Sequence, residues 1–219
     1  MLTDTIVTIP PAAKHSTTVV FFHGLGETGN YWASTLEKLC KPHTKIICPT
    51  ANKIPFTLMK GFATSAWFDM ASLDQTGENE SVIRRAANLV HDLLDQELSK
   101  TRIPSNKVLL GGFSQGGSLA LYAALTYHKP LAGILVLSCW LPLRKKFPEE
   151  ATNNMDIPIL QCHGTNDLVV DYEKHGKSSS DVLKNFVTNH KLITYQNLPH
   201  CTNKEELEAM KTFITKVLP

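Results

Sequence analysis

The sequence predicts one α/β domain over residues 1–219, a doubly wound, mostly parallel sheet with helices on both faces. Two observations predict it. Short, nearly continuous Val/Ile/Leu runs alternate with segments of helical spacing, the pattern of strands covered on both faces by crossover helices. No Gly/Ser linker, low-complexity tract or internal repeat interrupts the 219 residues, which are 42% hydrophobic and 19% charged, enough for a sizeable core.

Taken in order, TIVTI at the amino end reads as an antiparallel edge strand. TTVVFF, KIIC, KVLLGG, GILVLS, IPILQC and KLITYQ read as buried strands. From Ser81 to Leu98, Val82, Ala86, Leu89, Leu93 and Leu94 form a helical stripe, with Glu78 and Glu80 near its start, where carboxylates suit the helix dipole. QGGSLALYAALTY reads as the next helix. In the last helix, Leu207, Met210, Phe213, Ile214 and Val217 share a face behind an expected capping box of Thr202 and Glu205. Thr50 to Asn79 and Trp140 to Asp156 are expected to be long, loop-rich insertions, and loops of that length often carry function.

Gly112-Phe113-Ser114-Gln115-Gly116 lies where the strand KVLLGG ends and a helix opens. In that setting the pattern G-x-S-x-G is a nucleophile elbow, in which a tight turn lifts the serine hydroxyl clear of the sheet. No Gly-Lys-Ser/Thr follows, so a phosphate loop is set aside. A hydroxyl needs a base to remove its proton, and an elbow of this kind takes an acid and then a histidine from later in the chain. Among His128, His163, His175, His190 and His200, the last follows a strand and precedes a helix, at the sheet edge where ligands gather. His163 is expected to shape its own loop, and His175 and His190 to be exposed. Asp167, in the loop after IPILQC, is the candidate acid, with Asp171 in reserve. Backbone N–H groups of Gln115 and of Leu25, in the glycine-rich loop HGLGETG, are the candidate oxyanion donors. Leu58, Met59, Phe62, Trp67, Phe68 and Leu73 in the first insertion, and Leu168 and Val169 beside the acid, are candidate walls for an apolar substrate.

A formal net charge of +2 is too small to argue for nucleic acid as a partner. The opening MLTDTIVTIPP does not read as a secretory leader, and no stretch reads as a membrane span. Five scattered cysteines then read as reduced thiols in a cytoplasmic chain. The pairs Cys162-His163 and His200-Cys201 fit no common zinc spacing, so no metal is expected.

Four separated stretches, HGLGETG, AWFDM, GGFSQGG and QCHGTNDLVV, with a late PHCTNKE, resemble the acyl-protein thioesterase and lysophospholipase family of small α/β-hydrolases. The resemblance runs from about residue 17 to the end, and MKG…WFD and QCHGT are similar to its lysophospholipase-like branch. It implies a nucleophile, acid and base at Ser114, Asp167 and His200, oxyanion donors at Leu25 and Gln115, and no cofactor. It also implies hydrolysis of fatty-acyl thioesters and esters on protein cysteines or lysophospholipids, a setting that allows transient contact with a membrane surface. A carboxylesterase of short, soluble esters and a hydrolase-fold protein that binds without turnover are the competing readings. Glu27 stands where most members have Asp, Asn52 replaces a proline, and Cys201 follows the histidine in place of a small hydroxyl residue. The segment from Lys53 to Ala66 departs most from the family, and acyl-chain preference depends on it.

Overall fold

The β-branched and aliphatic runs form β1 (Thr5–Ile9), β2 (Thr17–Phe22), β3 (Thr44–Thr50), a short pair β4 (Lys53–Phe56) and β5 (Phe62–Ser65), then β6 (Val108–Phe113), β7 (Gly133–Leu137), β8 (Ile159–Gly164) and β9 (His190–Tyr195). This is a computed structural model, and it describes residue 3 and residues 5–73 and 77–219. The readings made on Met1, Leu2 and Asp4, and on 74–76 within the first insertion, lie outside the described residues. Seven strands make one sheet in the order β1-β3-β2-β6-β7-β8-β9. Its neighbours are parallel except β1, which runs antiparallel to β3 with Val7 opposite Cys48.

Strand periodicity divides the core. Val20, Phe22, Leu110 and Val136 face one side, while Val19, Phe21, Leu109 and Leu135 face the other. The first side is covered by α2 (Glu80–Thr101) and α3 (Ser114–Leu125), the second by α1 (Gly29–Leu39) and α5 (Lys204–Val217). A short α4 (Ser178–Leu183) leads to β9. Every residue of α3 is buried, which explains its apolar sequence: it lies between the sheet and α2.

Several local expectations are corrected. The cap of α5 is Asn203, whose side chain accepts the Glu206 N–H at 2.8 Å, so the box expected of Thr202 and Glu205 does not form. The helix starts one residue later than that box requires. β9 is an edge strand and only half-buried, where full burial was expected. His190 sits in that strand against the Gln161 amide, and burial pushes its imidazole down to about 4. The first insertion holds a β4–β5 hairpin and a 3-10 turn, Thr57–Met59, where plain loop was expected.

Candidate active site

β6 passes directly into α3, with Phe113 ending the strand and Ser114 starting the helix. Ser114 takes φ +53°, a left-handed conformation that costs a non-glycine residue energy and persists only where its surroundings enforce it. The neighbouring glycines show what enforces it. A β-carbon on Gly112 would lie 2.5 Å from the Gly116 backbone, and one on Gly116 would lie 2.3 Å from the carbonyl oxygens of Phe22 and His23. The turn is therefore pressed against both its own helix and β2.

His200, in the loop between β9 and α5, places Nε2 2.9 Å from Ser114 Oγ and Nδ1 2.6 Å from Asp167 Oδ2. A carboxylate can only accept, so Nδ1 carries the proton and Nε2 presents a lone pair to the hydroxyl. Asp167 follows β8, and its Oδ1 accepts the N–H groups of Val169 and Val170 at 2.9 and 2.8 Å. Burial alone would push this carboxyl up; hydrogen bonds from His163, His200 and the Val170 N–H outweigh it and hold the group well below the usual carboxylate range. His163 is fully buried and donates from Nε2 to the Val170 carbonyl at 2.8 Å, closing the loop that carries Asp167. His128 is exposed beside Asp95, and Asp171 caps a short helical turn by accepting the Lys174 N–H.

Gln115 is the second residue of α3, so its N–H is one of the groups a helix leaves without an internal partner. Leu25 lies in the loop after β2, and several side chains fix that loop. His23 accepts the Ala51 N–H on Nε2 at 2.9 Å, so its Nδ1–H donates to the Gly24 carbonyl at 2.6 Å. Burial depresses the basicity of His23, in keeping with a neutral ring that must accept. Glu27 Oε2 accepts the Gly24 N–H and the Trp32 indole N–H at 2.9 and 3.1 Å. Gly26 sits at φ +77° and donates to the Ser65 carbonyl. The Gln115 side chain reaches the other way: its Oε1 accepts the Trp67 N–H and its Nε2 donates to the Phe68 carbonyl, both at 2.9 Å. Sequence reasoning missed these roles of His23, Glu27 and the Gln115 amide; only the adjacency of HGLGE to the loop glycines signals the first two.

A cavity of about 240 Å³ opens beside Ser114 and His200. Leu25, Leu58, Leu73 and Val169 of the predicted residues line it. Met59, Phe62, Trp67, Phe68 and Leu168 do not, and each has a physical reason. Leu58 and Met59 of the 3-10 turn are equally exposed, at 44% and 45%, but only Leu58 reaches the rim of the cavity. Phe62 is exposed on the hairpin, and Leu168 is 87% exposed. Trp67 donates its indole N–H to the His23 carbonyl and packs edge-on against Phe22, so it is core, and Phe68 is buried beside it. Phe56, Met70, Phe113, Trp140 and Val170 complete the walls without having been predicted. Glu78 is not a helix-dipole residue; it clamps the Trp140 indole N–H and the Leu143 N–H at 3.0 Å each. Among the described residues, no group of three or more His, Cys, Asp or Glu is arranged to hold a metal ion.

The sheet order, the strand-to-helix turn and the placement of its serine are those of an α/β-hydrolase. The chain belongs to the phospholipase/carboxylesterase family, which its residues 3–218 match. It is 38% identical over 224 residues to acyl-protein thioesterase 1 of Neurospora crassa, covering 96% of this chain and 91% of that one. It is 36% identical over 210 residues to acyl-protein thioesterase 1 homolog 1 of Dictyostelium discoideum, covering 94% and 92%. The crystal structure of Zea mays acyl-protein thioesterase 2 superposes with a TM-score of 0.87 at 33% identity, covering 98% and 99%.

Proposed function

We propose that this chain hydrolyses acyl thioesters and esters through an acyl-enzyme on Ser114. The observation that carries the reading is the continuous hydrogen-bonded path from Asp167 through His200 to the Ser114 hydroxyl. His200 Nε2 takes the hydroxyl proton as Oγ attacks the acyl carbon, and Asp167 stabilises the imidazolium. The oxyanion turns toward the N–H groups of Leu25 and Gln115, a contribution worth roughly 3 kcal/mol per donor in such sites. The imidazolium then gives its proton to the departing thiol or alcohol, and a water activated by the same nitrogen releases the acid.

The relatives named acyl-protein thioesterase support acylated proteins as substrates, with lysophospholipids of the same acyl chemistry beside them. A cytoplasmic place and transient contact with a membrane surface belong to the same reading. None of the described helices is long and apolar enough to cross a membrane. The cavity volume favours a second reading for the preferred acyl group. About 240 Å³ is below the usual range for drug-sized ligands, so a short chain fills it and a long one must run past Leu58 and Leu73. Fluorophosphonate labelling that is lost in Ser114→Ala and His200→Ala tests the chemistry. Thioesters and esters from acetyl to palmitoyl, with Ser114→Ala as blank, test the acyl preference. Undiminished turnover in His200→Ala would remove the assigned base.

A further inference from the structure

We propose that the groove on the other side of His200 is a leaving-group subsite selecting a cationic product, a thiol or alcohol whose positive charge lies about two carbons from the sulfur or oxygen. The proposal rests on the hydrolase reading above. The groove, about 520 Å³, is lined by Glu27, Tyr31, Trp32, Phe113, His200 and Cys201 among others. It shares Glu27, Phe113 and His200 with the acyl cavity. The reacting carbonyl must sit at Ser114, with its apolar chain in the cavity walled by Leu58, Met70, Leu73 and Trp140. Its leaving atom must remain within reach of His200 Nε2 to collect a proton, which directs the rest of that group into the groove.

Charge and ring placement give the groove its preference. Among the described residues no lysine, arginine or histidine forms an ion pair with Glu27, and the two donors on its Oε2 are neutral N–H groups. The Glu27 carboxyl carbon and the Ser114 β-carbon lie 3.4 and 3.3 Å from the point where a β-carbon on Gly24 would sit. The negative charge is therefore close to the reacting centre. Tyr31 is 56% exposed and meets Trp32 edge-on at 5.3 Å, so its ring presents an open aromatic surface to the same groove. A carboxylate beside an aromatic face is a receptor for ammonium and especially quaternary ammonium groups. Lys53 lines an adjoining groove that shares Gly26, Glu27 and Thr28 with this one, but it does not line this one and forms no ion pair with Glu27.

The test compares butyrylthiocholine with S-(3,3-dimethylbutyl) thiobutyrate, which share an acyl group and differ in the leaving group by carbon for nitrogen. The expected kcat/KM ratio favours the cation on the order of tenfold. It falls toward one in Glu27→Gln, which keeps the acceptor oxygen but loses the charge, and falls in part in Tyr31→Ala. Cys201 gives an arm that needs no refolded variant. It is exposed, whereas Cys48, Cys139 and Cys162 are buried and burial pushes the Cys40 and Cys48 thiols up to about 12. A trimethylammonium methanethiosulfonate on Cys201 should lower the ratio, and the neutral methyl reagent should leave it high. Equal kcat/KM for the two thioesters, or a ratio untouched by Glu27→Gln and by the cationic adduct, overturns the subsite and leaves the hydrolase reading standing. No turnover of either thioester, with no fluorophosphonate labelling, overturns both.

Discussion

The elbow at Ser114 and the insertion that carries Leu58 and Met70 both line one cavity, and they are held in different ways. At the elbow, backbone presses on backbone: β-carbons on Gly112 or Gly116 have no room against the helix or β2. The insertion holds a two-stranded hairpin, a 3-10 turn and a segment fastened at Trp67 and Phe68 by the Gln115 amide and by the Trp67 indole on the His23 carbonyl. Main-chain packing of this kind fixes a reactive hydroxyl to within tenths of an ångström. A wall built from side-chain contacts can change its lining more readily than the elbow can change its turn.

The largest expected effect comes from breaking the rigid side. Gly116→Ala drives a β-carbon into the carbonyl oxygens of Phe22, which ends β2, and of His23 just beyond it, and should cost about 3 kcal/mol or more, read as a lower urea midpoint together with lost turnover. A midpoint equal to wild type would show that the turn can relax. Next, Gln115→Ala leaves the Trp67 N–H and Phe68 carbonyl without their partner inside the protein. A loss of about 1–3 kcal/mol is expected in urea unfolding, with a change in acyl-chain preference. A smaller contrast sharpens the comparison. Leu58→Trp narrows the cavity it lines and should shift preference toward shorter acyl chains, whereas Met59→Trp, one residue along the same turn and outside the cavity lining, should leave the chain-length profile unchanged.

A further effect belongs to neither region and serves as a reference. Glu206 is fully buried in α5, and burial pushes its carboxyl up to about 8. Its folded pKa lies above the ordinary glutamate value, so its contribution is complete below about pH 4.3 and is lost as pH rises to about 8. Glu206→Gln should therefore raise Tm at pH 8, with the gain shrinking toward pH 5. A gain independent of pH would assign the effect to packing.

Much of the sheet was legible because its signals are local. Val19, Val20, Leu109 and Leu110 sit in unbroken apolar runs, and the antiparallel edge at β1 precedes them as a short isolated strand. The half-burial of β9 was missed although Lys191, Thr194 and Gln196 make KLITYQ more polar than the inner strands; its place at the end of the sheet order is what exposes one edge. The site divides in the same way. The structure brings Ser114, Asp167 and His200 together at positions marked by glycines and by strand ends. The cavity walls carry no such marks. Trp67 and Leu58 look alike as apolar residues of one insertion, yet the first is spent on the His23 carbonyl and the second faces the cavity. Only the three-dimensional path of the chain separates them.

One residue belongs to both halves of the comparison. The main chain of Gln115 begins the helix behind the hydroxyl, while its amide grips the segment that backs the cavity. Selectivity and rate therefore share a mechanical link. Remodelling that segment to admit another chain would tug on the N–H proposed to face the negative oxygen, so altered taste in substrates should come with altered speed.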